Sequence, residues 1–165
     1  MILFDSSGHL TPYNRIEIDL KVFRTNFVDD FPESDTRQLL FENYLRYNED
    51  LGQALKCAYY QYVNGSFVTK KRNPQDIDLV SFVSWDMLSG KEQLLEEKFL
   101  TGKAMTEYKM DAYLVVLYPS THHFYSRTVS DIAYWNHWFG FSKFDHKRKR
   151  SPKGFLLVNF DQSQK

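Results

Sequence analysis

Apolar residues follow two different rhythms along the chain, and the change between them divides it. From Arg15 to about Asp30, Ile16, Leu20, Phe23 and Phe27 recur at helical spacing. Pro32 breaks that run, and Ser34 or Asp35 is placed to cap a second helix. There Leu39, Leu40, Asn43, Tyr44, Tyr47, Leu51, Ala54 and Leu55 trace one face at steps of three and four, ending near Cys57. The pattern then shortens. Ala58 to Val63 reads as an aromatic strand, Asn64-Gly65-Ser66 as a turn, and Asp76 to Val83 as a second strand. Lys91 to about Tyr108 returns to helix, with Leu94, Leu95, Phe99 and Met105 inside it and a break at Gly102. Asp111 to Leu117 is a third strand whose near-continuous apolar run predicts burial on both faces. A helix around Val129 to Trp138 and a strand over Gly154 to Phe160 complete the set, and residues 1–15, with Gly8 and Pro12, read as an extended arm.

Strands interleaved with helices predict an α/β or α+β domain: a mixed sheet with flanking helices and a helical N-terminal part. One domain over 1–165 is expected, mainly helical in 15–57 and built on the sheet in 58–165. Charged residues are 25% of the chain and the formal net charge is zero, so attraction to phosphates must come from local patches. A single cysteine, Cys57, rules out an internal disulfide and a cysteine-rich zinc site. His122, His123 and His137 lack a matching ligand set, so zinc is not expected. No apolar run approaches the roughly 20 residues that cross a bilayer. The N-terminus does not read as a signal peptide, so no membrane partner and a cytoplasmic setting are expected.

Candidate chemistry is concentrated between Val63 and Leu79. A strand ends on Gly65-Ser66, and nine intervening residues lead to Asp76-Ile77-Asp78 at the start of the next strand. Side chains at i and i+2 of a strand share a face, with Cα atoms roughly 6–7 Å apart. Two carboxylates so placed converge on a pair of magnesium ions. Gly65 lets backbone approach a phosphate, and Ser66 adds a hydroxyl and an amide donor.

Gly-Ser followed by Asp-x-Asp on the next strand resembles the signature of the DNA polymerase beta-like nucleotidyltransferase superfamily. Asn64 to Lys71, Asn73-Pro-Gln-Asp-Ile-Asp-Leu79 and Lys153-Gly154 resemble, more narrowly, a group of short bacterial proteins of that superfamily. The resemblance implies a third carboxylate on a later strand, and Asp111 fits that place better than Asp86 or Glu107. It implies transfer of a nucleoside monophosphate from a nucleoside triphosphate, ATP by default, to a hydroxyl. Asp76, Asp78 and Asp111 would hold two magnesium ions, or manganese in their place, and Asp111 would favour deprotonation of the acceptor. Gly65, Ser66, Lys70 and Lys71, with Arg72 beside them, would receive the nucleotide.

The chain has little room for the accessory helical domain many such enzymes carry. An alternative is therefore an antitoxin-like protein that binds nucleotide without turnover and engages a protein partner such as a toxin. Nucleic acid is a less favoured partner, through Lys147 to Arg150, a run that otherwise reads as a charged hairpin. Trp135, Trp138, Phe139 and Phe141 read as core in preference to a base-stacking platform.

Overall fold

Near-continuous burial along the central strands gives the sheet two covered faces, and the helices distribute themselves accordingly. The computed structural model describes residues 2–161; Met1 and residues 162–165, part of the single domain expected from the sequence, lie outside the described residues. In chain order the elements are β1 (Leu3–Phe4), β2 (Leu10–Thr11), β3 (Arg15–Ile18), α1 (Leu20–Arg24), α2 (Arg37–Leu55), β4 (Tyr59–Asn64), β5 (Ile77–Ser84), α3 (Glu92–Phe99), α4 (Thr101–Tyr108), β6 (Met110–Leu117), α5 (Tyr125–Phe139) and β7 (Phe155–Phe160). The fold is α+β: a five-stranded mixed sheet in the order β3-β7-β4-β5-β6, flanked by helices. β4 runs antiparallel to both neighbours, whereas the β3–β7 and β5–β6 pairs are parallel.

Odd-numbered residues of β5, among them Ile77, Leu79 and Val83, point into the larger core with Phe23, Tyr44 and Tyr47. Val80 and Phe82 point the other way, into a smaller core with Phe139 and the partly buried Trp135 and Ile132 of α5. Helix α2 follows its apolar stripe. Leu40, Phe41, Tyr44, Tyr47, Leu51 and Leu55 are buried, and Leu39 is left 59% exposed. The larger core also carries a short polar relay: the Tyr44 hydroxyl donates to Gln61 Oε1 (2.8 Å), and Gln61 Nε2 donates to Ser81 Oγ (2.9 Å). Buried polar groups satisfied in this way fix one arrangement of the core.

Four expectations from the sequence are corrected. Residues 15–18 form a strand beside β7, not the start of a helix, because Ile16 and Ile18 alternate with Arg15 and Glu17. Helix α1 begins only after Asp19, whose carboxylate accepts the Val22 amide (2.7 Å), and it runs on into a π turn over Thr25–Asp29. The N-terminal arm is not a plain extended segment but a small antiparallel hairpin, closed by the Asp5 carboxylate on the amides of Ser7 and His9. The helical region between β5 and β6 breaks at Leu100, whose extended backbone separates α3 from α4, two residues before the Gly102 break expected from the sequence. β6 is an edge strand and is not buried on both faces; Tyr113 stays 37% exposed. Among the described residues no helix is long and apolar enough to cross a membrane.

Candidate functional site

Strand register does most of the assembly. Asn64 on β4 pairs with Asp78 on β5, and Asp78 pairs with Asp111 on β6. The alternation that sends Leu79 and Ala112 into the larger core turns Asn64, Asp78 and Asp111 to the opposite face, in one row across three neighbouring strands. Asp76, two residues before Asp78, lies just ahead of β5. The amide of Ile77 donates to the carbonyl of Lys109 (3.1 Å), which ties the starts of β5 and β6 together.

Facing this row is the turn after β4. Gly65 has a φ of +79°, and a Cβ there would overlap the Asp78 carboxylate, so the position requires glycine on both counts. Ser66 and Thr69 close a tight turn through the Ser66 carbonyl, which accepts the Thr69 amide (3.2 Å) and hydroxyl (2.7 Å). The loop that follows is held from beneath by a residue that carried no signal in the sequence. Arg37, at the first turn of α2, is fully buried. Its guanidinium donates to the carbonyls of Phe27 (2.8 Å), Phe67 (2.7 Å), Thr69 (2.7 Å) and Lys71 (2.7 Å), and stacks 3.8 Å from the Phe31 ring centroid. Burial lowers its pKa to about 10, so it remains a cation at neutral pH. Asn73 secures the far end of the loop. Its Oδ1 accepts from Ser34 Oγ (3.1 Å) and from the Asp35 amide (2.9 Å), and its Nδ2 donates to Asp35 Oδ2 (2.8 Å).

The electrostatics of the row are unfavourable by themselves. Burial raises the Asp78 pKa from 3.8 to about 6, and the carboxylates of Asp76 and Asp111 push it the same way. Lys143 and Lys153 oppose the rise without overcoming it. Lys153 is itself buried, which lowers its pKa to about 8, and its ammonium donates to the Gly65 carbonyl (3.3 Å). Burial first, and then the Asp111 charge, raise the Tyr113 pKa.

Two open cavities meet here. One, of about 430 Å³, is polar and is lined by His9, Ser66, Thr69, Lys71, Gln75, Asp76 and Ser142. The other, of about 230 Å³, is walled by aromatic rings of the segment from Trp138 to Phe144. Gly65, Asp78, Lys143 and Lys153 line both.

Of the residues singled out from the sequence, Gly65, Ser66, Lys71, Asp76 and Asp78 line the polar cavity, and Asp111 stands beside Asp78 in register. Lys70 is directed elsewhere: its ammonium lies 5.9 Å from the Phe4 ring centroid and its amide donates to the Gly8 carbonyl (3.0 Å). Arg72 turns away too, pairing with the Glu33 carboxylate at 3.9 Å. His9, Ser142 and Lys143 come from segments with no pattern of their own, and only the folded chain brings them in. The aromatic segment read as core divides. Phe139 is buried and Trp135 packs on it, Phe141 is half-buried, and Trp138 is 49% exposed; Phe144, just beyond that segment, is 67% exposed. Lys147, Arg148 and Lys149 are exposed on a turn around Asp145, whose carboxylate accepts the amides of Lys147 and Lys149.

Among the described residues no group of three or more His, Cys, Asp or Glu side chains is placed to hold a metal ion by itself. The donor chemistry nevertheless fits magnesium, which takes hard oxygens and commonly completes its shell with water and substrate phosphates around one or two carboxylates. No hydrogen bond or ion pair within the protein occupies the carboxylates of Asp76 or Asp78 among the described residues, and Asp78 is charged only against the repulsion of its two neighbours.

No curated protein matches the chain, and no solved structure does. Residues 2–159 match the sequence profile of DUF6932, described as a family of unknown function, and the chain belongs to that family.

Proposed function

We propose that this protein is a magnesium-dependent nucleotidyltransferase, moving a nucleoside monophosphate from a nucleoside triphosphate, with ATP the expected donor, to a hydroxyl acceptor. The observation that carries the reading is the register of Asp78 with Asp111, opposite Gly65-Ser66 and beside a polar cavity large enough for a phosphate chain. Residues with these chemistries serve distinct tasks. The missing Cβ at Gly65 lets the Asp78 carboxylate lie against the turn, and the Ser66 hydroxyl and amide would donate to phosphate oxygens. Lys71, Lys143 and Lys153 supply positive charge around the chain of phosphates. Asp76, Asp78 and Asp111 would hold the cations. Divalent cations bound there would draw charge from the phosphate oxygens and from the departing group. The acceptor oxygen forms its bond to the α-phosphorus as the bond to the bridging oxygen breaks, pyrophosphate leaves, and the hydroxyl proton passes to the Asp111 carboxylate.

The test is label transfer from α-labelled ATP with magnesium, using purified protein with and without a co-purifying partner. Incorporation abolished in Asp76→Ala and Asp78→Ala supports the reading; incorporation that survives both refutes it. A second reading, a nucleotide-binding protein without turnover that engages a protein partner such as a toxin, draws on the exposed Tyr125, Val129, Tyr134 and Trp138 of α5. It predicts partner binding that persists in both variants, with no incorporation.

A further inference from the structure

The rings of the aromatic cavity next to Asp78 have no part in phosphate or cation chemistry, yet their positions are fixed by specific contacts. Trp138, at the end of α5, and Phe141 and Phe144, in the loop after it, present their rings around a space of about 230 Å³. Their arrangement is fixed by Arg150, whose guanidinium carbon lies 5.3 Å from the Trp138 and Phe141 ring centroids and 5.4 Å from that of Phe144. Arg150 is itself anchored, donating to the carbonyls of Ser142 (2.9 Å) and Trp138 (3.3 Å). Cation–π contacts of this kind hold ring planes in place and leave other faces free. A largely exposed Trp and Phe, held rigid beside a charged cavity, form a surface for a flat ring system.

A second, independent feature gives that surface a polar reader. Asn64 lines the same cavity and is 95% buried, being 5% exposed. Its amide nitrogen donates to the Phe139 carbonyl (3.2 Å), and because a carbonyl only accepts, the orientation of the amide is fixed. Asn64 Oδ1 is therefore turned away from that contact, and it is buried with no hydrogen-bond partner among the described residues. A buried acceptor left unsatisfied costs stability unless a ligand or an ordered water supplies the donor.

We propose that the cavity of Trp138, Phe141 and Phe144 receives the base of the nucleotide by stacking, and that Asn64 Oδ1 accepts a hydrogen bond from an exocyclic amino group, so that amino-bearing bases such as adenine are preferred. This rests on the reading of the adjoining polar cavity as the triphosphate site. The two cavities share Gly65, Asp78, Lys143 and Lys153, so a nucleotide spans them with its base among the rings and its phosphates beside the carboxylates. Specificity of this kind is strong where a site is shaped to pair with a particular donor, because the wrong ligand leaves the acceptor unpaired.

The test is calorimetric titration, in magnesium, of the full chain with three ligands: a non-hydrolysable ATP analogue, inorganic tripolyphosphate, and ITP, in which a carbonyl replaces the amino group. Trp138→Ala and Phe144→Ala change exposed side chains, and thermal unfolding checks that the fold is kept. Each is expected to weaken the ATP analogue by about 5- to 150-fold and to leave tripolyphosphate unchanged. ITP is expected to bind the unmodified protein about tenfold more weakly than the ATP analogue, or worse. If both variants bind the ATP analogue as tightly as the unmodified protein, or if ITP binds as well as the analogue, the base site is refuted while the phosphate site stands. If the unmodified protein binds neither the ATP analogue nor tripolyphosphate, the phosphate site fails and the base site with it.

Discussion

Asp78 and Gly65 oppose each other so closely that each limits what the other position tolerates. Gly65→Ala places a methyl group on the Asp78 carboxylate and forces a non-glycine residue to a φ of +79°. Its expected cost is about 1–3 kcal/mol of stability, together with loss of nucleotide binding, read from urea denaturation and titration. Asp78 carries the reverse burden. Its pKa in the folded chain, about 6, lies above the ordinary 3.8, so the folded state holds a proton that the unfolded state has released. The corresponding stabilisation is fully present below pH 3.8 and is lost as pH rises through about 6. Asp78→Asn without divalent cation is therefore expected to flatten that fall and to be more stable at pH 8, by about 1–3 kcal/mol. Denaturation series at pH 4 and pH 8 check it; a variant less stable at pH 8 contradicts it. Lys153 works in the other direction. Its folded pKa of about 8 lies below 10.5, so stability gains between those values as pH rises, and Lys153→Met removes the gain.

At the scale of elements, the loop from Gly65 to Asp76 has no regular structure of its own and is shaped by α2. One guanidinium takes three of its carbonyls and one from the π turn, and a lysine, with a compact ammonium, cannot span four acceptors in that fork. Arg37→Lys is expected to cost about 3 kcal/mol or more and to weaken nucleotide binding, measured by denaturant midpoint and titration. A substitution that leaves the midpoint in place would show that the loop holds its shape unaided. Nothing in sequence periodicity distinguishes this arginine from a solvated one at a helix start, because its role depends on carbonyls up to 34 positions away. The Gly65-Ser66 turn and Asp76-Ile77-Asp78, by contrast, were legible because their chemistry is local: a turn residue after one strand and a period of two at the start of the next. β3 was misread for a related reason. Ile16, Leu20, Phe23 and Phe27 fit a helical step, and only pairing with β7, far along the chain, decides that Ile16 sits in a strand.

Across the whole molecule, the site exists because of strand order. The resemblance implies a third carboxylate, and Asp111 at a strand start fits it, but its place beside Asp78 depends on β5 and β6 pairing in parallel across a two-helix crossover. The cavity walls are more distant still, with His9 from the N-terminal hairpin and Lys143 and Lys153 from the segment before β7. Those contributions could not be read from local pattern, since they follow from β3 and β7 closing one edge of the sheet and drawing the two ends of the chain together. Gly154 marks that closure. Its amide donates to the Leu10 carbonyl (2.7 Å), and a Cβ there would come within 2.5 Å of the Pro12 carbonyl. The most direct measurement of the central claim is titration of the unmodified chain and Asp78→Asn with a non-hydrolysable ATP analogue in the presence of magnesium. Binding by the unmodified protein that falls at least about tenfold in the variant, and falls likewise for the unmodified protein when magnesium is removed, is the predicted result. Equal binding by the two proteins, or none by either, would contradict it.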